Sequence, residues 1–118
     1  MIRLLVFAIW VLSLSPIAAW AHAFLAHATP AAGSQTRTAP PAVTLTFSEA
    51  VEPRFSTIEV RDPAGTRVDS GAAHPDGGGK TLSIRLPPLA AGQYTVIWHA
   101  TSVDTHQTEG RYTFTVLP

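Results

Sequence analysis

Gly92-Gln93-Tyr94-Thr95-Val96-Ile97-Trp98-His99 is the stretch whose reading decides the fold. After the glycine turn, Tyr94, Val96 and Trp98 fall on one side and Thr95, Ile97 and His99 on the other, which is the two-residue period of a half-buried strand. The same alternation sets Val43, Leu45 and Phe47 against Thr44, Thr46 and Ser48. It sets Leu82, Ile84 and Leu86 against Ser83 and Arg85, and Tyr112, Phe114 and Val116 against Arg111, Thr113 and Thr115. Residues 55–61 read as a further strand and residues 66–69 as a short, weak one. Proline and glycine punctuate the rest: Pro30 to Ser34 and Asp62-Pro63-Ala64-Gly65 are turns, residues 36–41 are irregular, and residues 71–80 form a glycine-dominated loop. Residues 22–29 are a short mixed segment, and no segment has a helical period. These features predict an all-β domain of about seven antiparallel strands, a sandwich or Greek-key barrel. Trp98, Phe47, Tyr112 and Phe114 are its expected core aromatics.

The chain has 118 residues, enough for one domain, and a formal net charge of +0. That balance argues against a nucleic-acid surface or a polybasic membrane patch. Residues 1–21 differ in character from the rest of the chain. Arg3 carries one positive charge, residues 4–14 are almost wholly apolar, and Ala19-Trp20-Ala21 forms the small-x-small site that a signal peptidase reads. Cleavage there leaves a mature domain of residues 22–118 that begins at His22, exported and soluble. The alternative is an uncleaved anchor, since residues 4–21 nearly reach the length of a membrane span. The chain has no cysteine, and its one methionine is Met1. The mature domain therefore holds itself together without disulfides, and any metal it binds is held by nitrogen and oxygen.

Ser102-Val103-Asp104-Thr105-His106 places a carboxylate and an imidazole two positions apart at what reads as a strand edge, where they share a face. By itself the pattern is weak and reads first as a solvated turn, since Asp and His both favour turns. An N-terminal histidine is chemically distinct, because its free α-amine and its ring Nδ1 can close one chelate ring, whereas an internal histidine offers an amide in place of the amine. His22 is otherwise an ordinary solvated terminus. Joined to Asp104 and His106, it gives three nitrogens and one oxygen, a donor set that suits Cu(II) in a tetragonal arrangement. His27, His74 and His99 carry no such pattern.

Taken together, His22, Thr29-Pro30, Gly33-Ser34, Phe47-Ser48-Glu49, Leu89-Ala90-Ala91-Gly92-Gln93-Tyr94, Trp98, Ser102 to His106 and Gly110 resemble the periplasmic copper resistance protein CopC family. The resemblance covers essentially the whole mature chain. It implies an immunoglobulin-like Greek-key barrel that binds Cu(II) through His22, by amine and ring, and through His106, with Asp104 beside them. Glu49 matches the family's glutamate, as a direct ligand or as a weaker neighbour of the site. Some members carry a methionine-rich loop for Cu(I); residues 60–79 here contain no methionine, so one Cu(II) ion per chain is expected.

The resulting expectation is a monomeric, non-enzymatic Cu(II) protein that sequesters copper, confers resistance or delivers the ion to a CopD-like inner-membrane partner. Two other readings compete with it. One is a histidine-brace copper oxygenase, against which stand the small size and a carboxylate beside the metal that favours Cu(II). The other is a structural sandwich whose histidines are incidental.

Overall fold

The computed structural model describes residues 23–118. The expected signal sequence, its expected cleavage site and His22 lie outside the described residues. Among the described residues eight strands run in order: β1 Leu25–Thr29, β2 Gln35–Thr36, β3 Ala42–Phe47, β4 Thr57–Arg61, β5 His74–Pro75, β6 Thr81–Arg85, β7 Gly92–Thr101 and β8 Gln107–Val116. They form two four-stranded sheets, β1-β3-β6-β5 and β2-β8-β7-β4, which face each other as a sandwich. Among the described residues no helix is long and apolar enough to cross a membrane.

The core arises from alternation. Val43, Leu45 and Phe47 of β3 and Leu82 and Ile84 of β6 point inward from one sheet; Ile58 and Val60 of β4, Tyr94, Val96 and Trp98 of β7, and Phe114 and Val116 of β8 meet them from the other. Each large side chain buried this way contributes roughly 1.5–3 kcal/mol. The rings of Phe47 and Trp98 meet edge to face, with centroids 5.2 Å apart, and Tyr94 stacks on Phe114 at 5.5 Å. Tyr94 is a more complete core aromatic than Tyr112, which is only half-buried. Its hydroxyl donates to the Ala90 carbonyl at 2.6 Å and so closes the turn that launches β7.

Several local readings change. Residues 66–69 form no strand. The Asp69 carboxylate accepts the Val60 amide at 2.9 Å, so a side chain replaces a ladder bond, and only an isolated Arg61–Arg67 bridge remains. Phe55 ends a 3-10 turn, Pro53–Phe55, and is exposed, because Pro53 sets the turn and the Phe55 amide donates to the Glu52 carbonyl at 3.1 Å. The segment expected to be irregular opens with β2, which pairs in parallel with β8. The sandwich therefore has eight strands and one parallel pair, where about seven antiparallel strands were expected. Asp62-Pro63-Ala64-Gly65 is the turn its sequence predicts: Asp62 Oδ1 accepts the amides of Ala64 and Thr66, each at 2.9 Å, and Gly65 takes a φ of 82°.

Candidate metal centre

Strands β7 and β8 pair along their whole length and are joined by residues 102–106, at one end of the sandwich. Strand alternation is not what brings Asp104 and His106 together. The chain turns within the loop: the Thr105 amide donates to the Ser102 carbonyl at 2.9 Å, the Ser102 amide donates to the His106 carbonyl at 2.8 Å, and Thr105 takes a φ of 74°. The turn sets Asp104 Oδ2 3.2 Å from His106 Nδ1. The two side chains are 44% and 36% exposed, so the pair lies at the surface yet is partly enclosed.

Ser102 organises this pair from below. It is buried, and its hydroxyl donates to Asp104 Oδ1 and lies 3.2 Å from the His106 carbonyl. Donation from Ser102, reinforced by His106, holds the Asp104 carboxyl below the usual carboxylate range, so it stays ionised at neutral pH. The loop is braced by the neighbouring segment: the Val103 amide donates to the Ala50 carbonyl at 3.1 Å, and the Glu52 amide to the Thr101 carbonyl at 2.8 Å. Glu49 is exposed on that segment, one residue before Ala50.

The chain's first described residues reach the same end. Ala23 is fully buried, and its carbonyl accepts the Thr108 hydroxyl at 2.8 Å. The Phe24 amide donates to Ser48 Oγ at 2.9 Å, and the Ser48 amide donates back to the Phe24 carbonyl at 2.8 Å. Among the described residues no three His, Asp or Glu side chains gather closely enough to hold a metal ion. Among the described residues Asp104 and His106 are thus a partial donor set.

Neither Ser102 nor Thr108 stands out in the sequence as a participant. The only signal is spacing: Ser102 stands two residues before Asp104, and Thr108 two residues after His106. The other histidines lie apart. His27 and His74 are exposed on β1 and β5, and His99 faces outward on β7, where its Nε2 lies 3.0 Å from Glu109 Oε2.

The β-sandwich thus presents an imidazole–carboxylate pair, one nitrogen and one oxygen donor, on an end hairpin. The CopC domain family matches residues 25–117. Protein YobA of Escherichia coli K12 is 43% identical over 111 residues, covering 92% of this chain and 90% of that protein. The crystal structure of CopC from Methylosinus trichosporium OB3b superposes with a TM-score of 0.78 at 37% identity, covering 82% of this chain and 95% of that one. The copper transport protein CutJ of Bacillus subtilis is 29% identical over 103 residues, which span 86% of this chain but 19% of that protein. The chain belongs to the CopC family of copper-binding, non-enzymatic proteins. Membership sets aside both the oxygenase and the purely structural readings.

Proposed function

We propose that this chain is exported, cut after Ala21 and held in the periplasm, where it binds one Cu(II) ion through the His22 amine and ring, His106 and Asp104. The observation that carries the reading is the Asp104–His106 pair. The contact of 3.2 Å holds an imidazole and a carboxylate side by side at one end of the domain, where one ion can engage both side chains. Ala23, bonded to His22 in the chain, is fastened to the strand that begins beside His106. Glu49, on the segment that braces the loop, is an outer participant that adds negative charge near the ion.

The mature chain has no thioether, so its copper is Cu(II), and its role is to sequester the ion or pass it on. CutJ, a named copper transport protein, contains a segment similar to this chain within a much longer protein. That kinship favours passing copper on over storage alone, with a CopD-like membrane partner as the proposed recipient. Native mass spectrometry of the exported protein tests the reading. A chain beginning at His22 with one Cu(II) ion, lost on His22→Ala or His106→Ala, is the expected result. Full copper retention by a chain with one residue added before His22 refutes it.

A further inference from the structure

We infer that the end of the sandwich carrying the 102–106 loop is a docking face for another protein, one whose surface offers an apolar hollow rimmed by lysine and arginine. The inference rests on the proposal that copper is passed on, and it names the surface at which a recipient is met. Among the described residues the large apolar side chains left exposed are Phe24, Phe55 and Val103, at 59%, 67% and 58%. All three lie along one short stretch. Residues 50–52 run antiparallel to residues 101–103: Val51 bridges to Ser102, the Glu52 amide donates to the Thr101 carbonyl at 2.8 Å, and the Val103 amide donates to the Ala50 carbonyl at 3.1 Å. Phe24 is fastened to the start of this stretch through Ser48. Phe55 is fastened to its finish, where the Thr101 hydroxyl donates to the Phe55 carbonyl at 2.9 Å.

The same stretch is acidic. With histidine neutral, residues 48–56 and 101–109 carry Glu49, Glu52, Asp104 and Glu109 against the single cation Arg54, in a chain whose net charge is +0. Carboxylates therefore border the exposed Val103 and Phe55, which is the apolar centre and charged rim of a protein interface. Beside Phe55 lies an open hollow of about 460 Å³, lined also by Thr101, Gln107 and Glu109, that can receive a side chain from a partner.

Charge decides between the occupants. A second copy of this chain would set the acidic face against its own like, which disfavours a two-fold contact. An anionic lipid surface repels the same carboxylates. A protein with lysine or arginine around an apolar hollow gains from both features, since complementary charge steers the encounter and the apolar anchors hold it. The anchors are set in advance. Val103 is tied to Ala50, and Phe55 to Glu52 and Thr101, by backbone hydrogen bonds, so little ordering is left to oppose binding. Val103 also stands next to Asp104, so a partner seated here lies against the loop that carries the imidazole–carboxylate pair.

The test places the photocrosslinking residue p-benzoylphenylalanine at position 55, at position 103 or, as a control, at position 85. Arg85 is exposed and pairs with Ala42 where β3 begins, at the other end of the sandwich. Each chain is expressed in its native cells and irradiated, and the products are identified by mass spectrometry. One and the same protein, joined at 55 and 103 and absent at 85, is the expected result. Purified, that protein should bind the parent chain and lose about tenfold or more in affinity with Val103→Ser and with Glu52→Lys, each of which keeps the parent's melting transition. Joining to lipid or to a second copy, equal joining at 85, or no product overturns the docking face, as does an unchanged affinity in either variant. Should either variant fail to fold, Phe55→Ser is measured in its place. Native mass spectrometry of the same exported chains separates the face from the reading beneath it. Bound copper together with any overturning result removes the face alone; a chain without copper removes the copper reading, and with it the part of this face in passing copper on.

Discussion

Trp98 lies flat against Gly110, its direct partner across the β7–β8 ladder, so closely that a Cβ on Gly110 would stand 2.7 Å from the indole ring. No side chain fits without moving the ring that also meets Phe47. Gly110→Ala should therefore destabilise the domain by about 1–3 kcal/mol through overpacking. Urea denaturation followed by tryptophan fluorescence checks this, and an unchanged midpoint would mean that the ring has freedom to shift.

Asp69 gives the domain an acid sensitivity. Burial alone would raise its carboxyl, but the Arg67 guanidinium at 2.8 Å and the amides of Val60 and Gly71 outweigh burial and leave it below its ordinary value. A carboxyl depressed in the folded state adds stability above its unfolded value, near about 4, and that stability is lost as pH falls through the folded value. Asp69→Asn should accordingly show a shallower loss of stability between about pH 4 and pH 2 than the parent, read from urea midpoints across that range. Parallel curves would remove Asp69 from the acid response.

Thr105 occupies the left-handed region at φ 74°, which a β-branched residue enters at a cost of about 1–2 kcal/mol. Thr105→Gly should relieve that cost and, after glycine's larger unfolded-state entropy, raise stability by up to about 1 kcal/mol. A calorimetric melt of the copper-free protein measures it; a lower melting temperature would show that the threonine side chain supports the loop.

Asp104→Asn keeps the outline of the side chain but removes its charge and the ionised acceptor for Ser102. Cu(II) affinity should fall by about 10- to 100-fold. Isothermal competition against a chelator of known strength measures the change, and a fall of less than about threefold would remove Asp104 from the copper environment.

Under reducing conditions the mature chain should surrender Cu(I) to a modest competitor, because neither the loop of residues 60–79 nor any other part of residues 23–118 offers a thioether. Retention of one Cu(I) against bicinchoninate would point to a soft-ion site built from imidazoles alone.

Much of this arrangement is legible in local pattern. Val43, Leu45 and Phe47, and Tyr94, Val96 and Trp98, are buried in the alternation their sequence displays. Strand β2 is not legible, because two residues cannot show a period and Gln35-Thr36 is held by a partner strand about eighty positions away. Asp69 misleads the reading of its own segment, since its carboxylate takes an amide that a ladder would have used. At the site, the sequence points to the proximity of Asp104 and His106 for a reason that proves incorrect. It suggests an extended edge, yet the pair meets through a turn centred on a threonine in a conformation that threonine disfavours. Ser102 and Thr108 stay hidden because a hydroxyl has many local uses, and its choice of partner is decided only in three dimensions.

The bond between Thr108 and Ala23 also makes the backbone a nearly closed circuit, its first described residue fastened to its last strand. A copper ion held across the same junction would be a second clasp on that circuit, binding the folded chain and not the open one. Ligand linkage then adds about 4 kcal/mol of stability when free copper stands at about a thousand times its dissociation constant. Heat resistance in this domain would thus be a joint property of the chain and its copper supply, and melts run over a copper series would trace the binding curve.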